Sequence, residues 1–168
     1  MRVDTPRFGE MDVPEEAILT FADGLYGFPE VRECCLLPYQ AGSVLRWLQC
    51  LDDPRIAFLT VEPHAFFPDY EIELSDTDAA GLELADAADA AVMTLVTVLH
   101  ECRAMATNLA APIVINTATR RARQVILDDD RYVTRHMLCD DAASALKYRR
   151  NECEDGGAED AGVDQTNG

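Results

Sequence analysis

Residues 108–127 read NLAAPIVINTATRRARQVIL. An apolar run, Pro112 to Ile115, and a second one, Gln124 to Leu127, flank a polar stretch. That stretch, Asn116 to Arg123, holds Arg120, Arg121 and Arg123. Short apolar runs separated by a few turn-forming residues are the pattern of a β-hairpin. The two runs are therefore expected to pair as strands, with the arginines in a solvated connecting loop. In that loop they are near Asp128, Asp129 and Asp130 along the chain. Exposed ion pairs of this kind are worth at most about 1 kcal/mol.

The same short-strand signal recurs on both sides of this hairpin. Arg2 to Phe8 is extended and meets Gly9, and Ala17 to Phe21 ends at the turn signal Ala22-Asp23-Gly24. Glu33 to Leu37 and Val44 to Leu51 are separated by Pro38 to Gly42. Arg55 to Val61 follows Asp52-Asp53-Pro54, where aspartate bonds its own backbone and proline presets φ. Ala91 to Leu99 is rich in Val, Leu and Thr and apolar on both faces, as a buried central strand is. Helical signals are sparse. Ser75 to Asp78 caps a short helix through Leu84, and 140–150 reads as a short final helix with acid at its start and Lys147, Arg149 and Arg150 at its end. Many short strands at this spacing predict an all-β fold, a small barrel-like domain of short antiparallel strands with one or two short helices. The domain is expected to span 1–139. Residues 151–168 hold six acids, four glycines and no Lys or Arg, the composition of a disordered acidic tail.

Composition narrows the function classes. A chain of 168 residues with 48% hydrophobic content supports one domain with a real core. A net charge of -17 argues against direct binding of nucleic acid, whose phosphates need clustered cations. It suits a basic protein partner, or simply solubility. The longest apolar stretch, Ala90 to Leu99, is about half of what a membrane helix needs, and MRVDTPRFGEMD lacks a secretory h-region. A soluble cytoplasmic protein without membrane association is the expectation, and its six cysteines are expected to be free thiols.

Candidate chemistry is thin. No nucleophile elbow, phosphate loop or dinucleotide fingerprint occurs. His100-x-Cys102 and His136-x-x-Cys139 have spacings that a metal or hydrolytic site could use. No CxxC pair accompanies them, which favours buried thiols over a site, and no cofactor is expected. Cys34 and Cys35, adjacent on a strand, point to opposite faces and cannot share one metal without a bulge. The segment Phe66-Phe67-Pro68-Asp69-Tyr70-Glu71 stands out, with three aromatics around a proline. Such a segment is either an apolar plug over a barrel end or an exposed contact patch, and composition leans to the plug. Trp47 reads as core.

Several ordered motifs resemble one family. Phe8-Gly9-Glu10 and Ile18 to Phe28 are similar to its N-terminal pattern. WLQCLDDP at 47–54 with Ala57-Phe58 resembles its W-L-Q-S-x-D-D-P-x-x-A-F segment. FFPDYE at 66–71 with Leu74-Ser75, and the hairpin from Asn108 to Gln124, complete the match, although Ala122 stands where the family usually has glycine. Over about residues 2 to 138 the chain resembles the FliW family of flagellar assembly factors. The resemblance implies a non-enzymatic, barrel-like module that binds flagellin and the RNA-binding translational regulator CsrA. Bound to CsrA, it would relieve repression of flagellin translation. Newly made flagellin would capture it and free CsrA to repress again. On this reading Phe66, Phe67, Asp69, Tyr70 and Glu71 form a protein-binding surface, with the two carboxylates suited to a basic partner.

Overall fold

The structure, a computed structural model, describes residues 1–99 and 104–138. The final helix and acidic tail read from the sequence lie outside the described residues, as do Arg103, Cys153 and the metal-spacing residues His100, Cys102 and Cys139.

Nine strands make one sheet: β3 (Ile18–Phe21), β4 (Glu33–Pro38), β5 (Leu45–Cys50), β6 (Ala57–Val61), β7 (Ala90–Leu99), β8 (Ala104–Thr107), β9 (Ile113–Asn116), β10 (Arg121–Gln124) and β11 (His136–Met137). Two more, β1 (Arg2–Thr5) and β2 (Gly9–Asp12), form a separate hairpin. Among the described residues one α-helix, α1 (Asp76–Gly81), occurs, and it is capped by Ser75, whose hydroxyl accepts from the Asp78 amide. The main sheet runs β11-β8-β7-β6-β5-β4-β3-β10-β9, and β9 pairs again with β7. The segment from β7 through β9 therefore closes on itself as a barrel, as the run of short strands predicts. Among the described residues only β3 and β10 pair in parallel, through Thr20 opposite Arg121 and Phe21 opposite Ala122.

β7 explains how the sheet both closes and extends. Its first half, Ala90 to Met93, pairs with β9, and its second half, Val96 to Leu99, pairs with β8. Thr94 and Leu95 meet β6 between them. Only Met93 and Thr94, at this junction, are buried, and Thr97 and Val98, where β7 runs past the barrel, are exposed, so the burial expected of the whole strand is confined to its centre.

The period-2 alternation of the strands separates an inside from an outside. Leu19, Phe21, Cys34, Leu48, Cys50, Met93, Ile113, Ile115 and Ala122 pack together as the barrel interior. Ala122 therefore lies in a strand, with its methyl group in the core. Cys34 and Cys50 face each other across β4 and β5, with Sγ atoms 3.8 Å apart. The hydrogen bond that Cys34 donates to Cys50, together with burial, pushes the Cys34 thiol far above its ordinary range, so it behaves as a small hydrophobe. Cys35 joins Val3, Val13 and Leu51 on the opposite side of β4, under the β1–β2 hairpin. A third cluster, Leu82, Val114 and Val125, lies beneath α1.

Two further expectations are corrected. Arg2 to Phe8 is not one strand. Thr5 turns the chain back by accepting from the Phe8 amide at 2.9 Å and donating to the Gly9 carbonyl at 3.2 Å. The arginine loop is shorter than the apolar runs suggest, because Arg121 and Arg123 belong to β10 itself. Ala122 and Gln124 of that strand are buried while the arginines alternate with them, half-buried, beside carboxylates. Arg121 pairs with Glu83 at 3.0 Å, and Arg123 with Asp23 at 3.2 Å and Asp78 at 3.3 Å. The expected partners Asp128 to Asp130 take no part in these pairs. Arg120 adopts φ 62° at the turn and donates to the Glu16 carbonyl. Asn116, 3% exposed, holds this turn. Its Oδ1 accepts from Ala118 and Thr119, and its Nδ2 donates to the carbonyls of Leu82 and Glu83.

Candidate functional site

The Phe66 to Glu71 segment follows a single 3-10 turn, Pro63–Ala65, that leaves β6. Proline opens that turn without wasting an N–H. The amides of Phe66 and Phe67 both donate to the Pro63 carbonyl, at 3.0 and 2.8 Å. The Tyr70 amide donates back to Phe67 at 3.0 Å, so the chain doubles around Pro68 and Asp69. Phe66 and Phe67 are half-buried and pack on Leu45, Leu59, Val61, Met105 and Leu138, outside the barrel.

Tyr70 anchors the segment. It is 3% exposed and donates its hydroxyl to the Leu109 carbonyl at 2.7 Å. Burial, with the neighbouring Tyr132, raises its phenol well above the usual range, so it stays a neutral donor. His64 Nε2 donates to the Tyr70 carbonyl at 2.9 Å, since a carbonyl can only accept. Tyr132 meets Tyr70 edge-on, centroids 4.7 Å apart, and its hydroxyl accepts from the Glu71 amide at 3.0 Å. The His136 ring lies 5.7 Å from that of Phe67, and its Nε2 accepts from the Val133 amide at 2.9 Å. The surface thus takes its aromatic rings from two segments far apart in sequence.

These rings line a groove of about 380 Å³, with Phe66, Phe67, Pro68 and Asp69 on one side and Arg131, Tyr132 and His136 on the other. Arg131 is shared with an adjoining groove of about 420 Å³, lined by Glu71, Glu73, Leu74, Ser75, Leu127, Asp128 and Asp129. Arg131 forks onto Asp129 and holds that carboxyl below its ordinary range, mainly through side-chain hydrogen bonds. Asp69, Glu71, Glu73 and Asp128 are exposed, and among the described residues none of them has an ion-pair partner. The arrangement offers fixed apolar rings beside exposed carboxylates, with Arg131 held by Asp129 between them, which suits recognition of a surface combining apolar and basic groups.

Of the five residues singled out from sequence, Phe66, Phe67 and Asp69 line the aromatic groove, Glu71 lines its acidic neighbour, and Tyr70 lies mostly beneath. Arg131 and Tyr132 escape the sequence reading, and His136 enters it only as a candidate for a metal or hydrolytic site. Their segment, RYVTRH, offers an aromatic ring and two cations, but nothing local places it beside residues some 60 positions earlier. Of the metal-spacing residues only His136 is described, and its Nε2 is engaged as stated. No group of three or more potential ligands occurs among the described residues. No helix among them is long and apolar enough to cross a membrane.

The FliW protein family model matches residues 2–138. The flagellar assembly factor FliW of Heliobacterium modesticaldum is 39% identical over 144 residues, covering 86% of this chain and 94% of that protein. Its counterpart in Magnetococcus marinus is 36% identical over 158 residues, covering 93% and 96%. A crystal structure of the flagellar assembly factor FliW superimposes with a TM-score of 0.76 at 32% identity, covering 85% of this chain and all of that one. The chain belongs to the FliW family of flagellar assembly factors.

Proposed function

We propose that this chain acts in flagellar assembly by binding rather than by catalysis, in the cytoplasm, and that it exchanges between CsrA and flagellin. Bound to CsrA it relieves repression of flagellin translation, and flagellin withdraws it from CsrA. The reading is supported by family membership and by one observation above all. Phe66 and Phe67 are half-buried beside the unpaired carboxylates of Asp69 and Glu71. The rings are fixed by Pro68 and by the Tyr70 hydrogen bond, so little freedom is lost on binding. The carboxylates favour a basic surface, as an RNA-binding regulator presents to phosphates.

Competition for one limited protein follows mass action. The test is a three-component mixture of purified chain, CsrA and flagellin from the same organism, resolved by size. The chain is expected to co-elute with CsrA, and added flagellin is expected to return CsrA to its free position. Failure of both pairwise complexes at micromolar concentrations, about -8 kcal/mol of binding, contradicts the proposal.

A further inference from the structure

Strand β11 delivers the chain to the aromatic groove. Its His136 forms part of the groove wall, and the next residue but one, Leu138, packs in the cluster on which Phe66 and Phe67 lie. The Leu138 amide donates to the Met105 carbonyl at 3.0 Å, which fixes where the chain leaves the sheet. Residues 139–168 follow. All their cations, Lys147, Arg149 and Arg150, fall within one short run, around Tyr148 and directly after Leu146.

That run, Leu146-Lys147-Tyr148-Arg149-Arg150, alternates apolar and basic side chains and then adds a cation, which is the chemistry the two grooves fit. The aromatic groove offers Phe66, Phe67, Tyr132 and His136 to a tyrosine ring. The adjoining groove offers Glu71, Glu73 and Asp128 to cations, and among the described residues none of these three, nor Asp69, has an ion-pair partner. Arg131, between the grooves, would repel a cation, but it is already held by Asp129. Reach is sufficient. Lys147 follows Leu138 closely enough that about 30 Å of extended chain separates them at most. A tether of that length holds the run near the grooves at an effective concentration on the order of millimolar. The flanking acids set the limits of the run, because Asp141 before it and Glu152 after it are repelled by the same carboxylates.

We infer that residues 145–150 of this chain seat across the aromatic and acidic grooves, with Tyr148 against the rings and Lys147, Arg149 and Arg150 against the open carboxylates, so that the chain covers its own binding surface until a partner displaces the segment. The inference rests on the reading of that surface as a binding site. It makes the segment a tethered competitor, which weakens partner binding in proportion to the fraction of molecules it closes.

The test compares two isotope-labelled full chains by NMR, the parent and a variant carrying Lys147→Gln, Tyr148→Ser, Arg149→Gln and Arg150→Gln together. The signals of Phe67, Asp69, Asp128 and His136 are expected to differ between them, while those of Phe21 and Ile113 coincide and show the barrel intact. The probe is the blocked peptide acetyl-Ala-Leu-Lys-Tyr-Arg-Arg-amide. Added to the variant, it is expected to saturate and to move the groove signals towards their positions in the parent. The parent, with its surface covered, is expected to bind the peptide about tenfold more weakly. Groove signals that coincide in the two chains overturn the inference, as does equal affinity of both for the peptide. A difference that disappears on dilution overturns it too, because a second copy then fills the groove. Partner binding by the same two chains keeps this inference apart from the functional reading beneath it. The variant is expected to bind a partner about tenfold more tightly than the parent, and equal binding overturns the competition. Absence of partner binding by both chains contradicts the functional reading alone, and the NMR comparison still decides whether the segment docks.

Discussion

Two regions of this molecule put charge at the surface, and they do so in opposite ways. The turn and strand β10 carry Arg120, Arg121 and Arg123, and every one of these cations meets an acceptor of its own chain. The segment from Phe66 to Glu71 carries Asp69 and Glu71 beside half-buried rings, with neither carboxylate in an ion pair among the described residues. Internal pairing satisfies the first region without a partner. The second keeps its charge available. The comparison separates charge that the chain satisfies itself from charge left open to a partner, a distinction that net charge alone does not make.

Both regions rest on the barrel, so the largest expected effect removes their common support. Phe21 is 1% exposed on β3, in the parallel pairing with Ala122 of β10. Phe21→Ala is expected to cost about 3–5 kcal/mol, read as a large fall in Tm or in the denaturant midpoint. A loss under about 1 kcal/mol would show that the interior reorganises freely. Next comes the β9–β10 turn. Asn116→Ala leaves the Leu82 and Glu83 carbonyls and two turn amides without their partner. It is expected to destabilise by about 1–3 kcal/mol while leaving partner binding unchanged. A smaller cost is expected on the aromatic side, where Tyr70→Phe deletes the hydroxyl bond to Leu109. About 0.5–1.5 kcal/mol should be lost, together with a modest loss of binding as the segment loosens. Smallest is the replacement of Arg120, Arg121 and Arg123 by Gln. These half-exposed, solvent-screened pairs are worth about 0.3 kcal/mol each, so the fold should lose about 1 kcal/mol or less in all, and binding should barely change. A tenfold loss of binding with an unchanged Tm would erase the contrast between the two regions.

The architecture was legible from pattern alone, because period-2 alternation and Pro/Gly punctuation are local signals. The helix after Ser75 and strands β3 to β7 fall close to where those signals place them. The apolar run from Gln124 to Leu127 predicts strand β10 too far along the chain, whereas Arg121 and Arg123 alternate with buried Ala122 and Gln124. Their placement depends on Glu83, Asp23 and Asp78, which no local rule connects to them. Strand β8, with the sequence AMAT, is short and weakly patterned, and it exists because β7 runs past the barrel and offers an edge. The aromatic segment was visible as composition, but its depth was not. Tyr70 reads like its neighbours and lies inside because Leu109 supplies an acceptor. Tyr132 and His136 complete the groove through contacts that sequence separation conceals.

The central claim is that the Phe66 to Glu71 surface, and not the arginine strand, meets the partners. Its most direct test is binding of CsrA and of flagellin by Phe67→Ala and Asp69→Lys, with thermal unfolding recorded on the same samples. The account predicts at least one partner weakened more than tenfold, about 1.4 kcal/mol, by each substitution. Asp69→Lys should leave Tm within a few degrees, and Phe67→Ala should remain folded because its ring is only half-buried. Undiminished binding of both partners by folded Asp69→Lys and Phe67→Ala proteins would contradict it. So would unfolding of Phe67→Ala at the roughly 3–5 kcal/mol of a buried phenylalanine, which would make the ring part of the core.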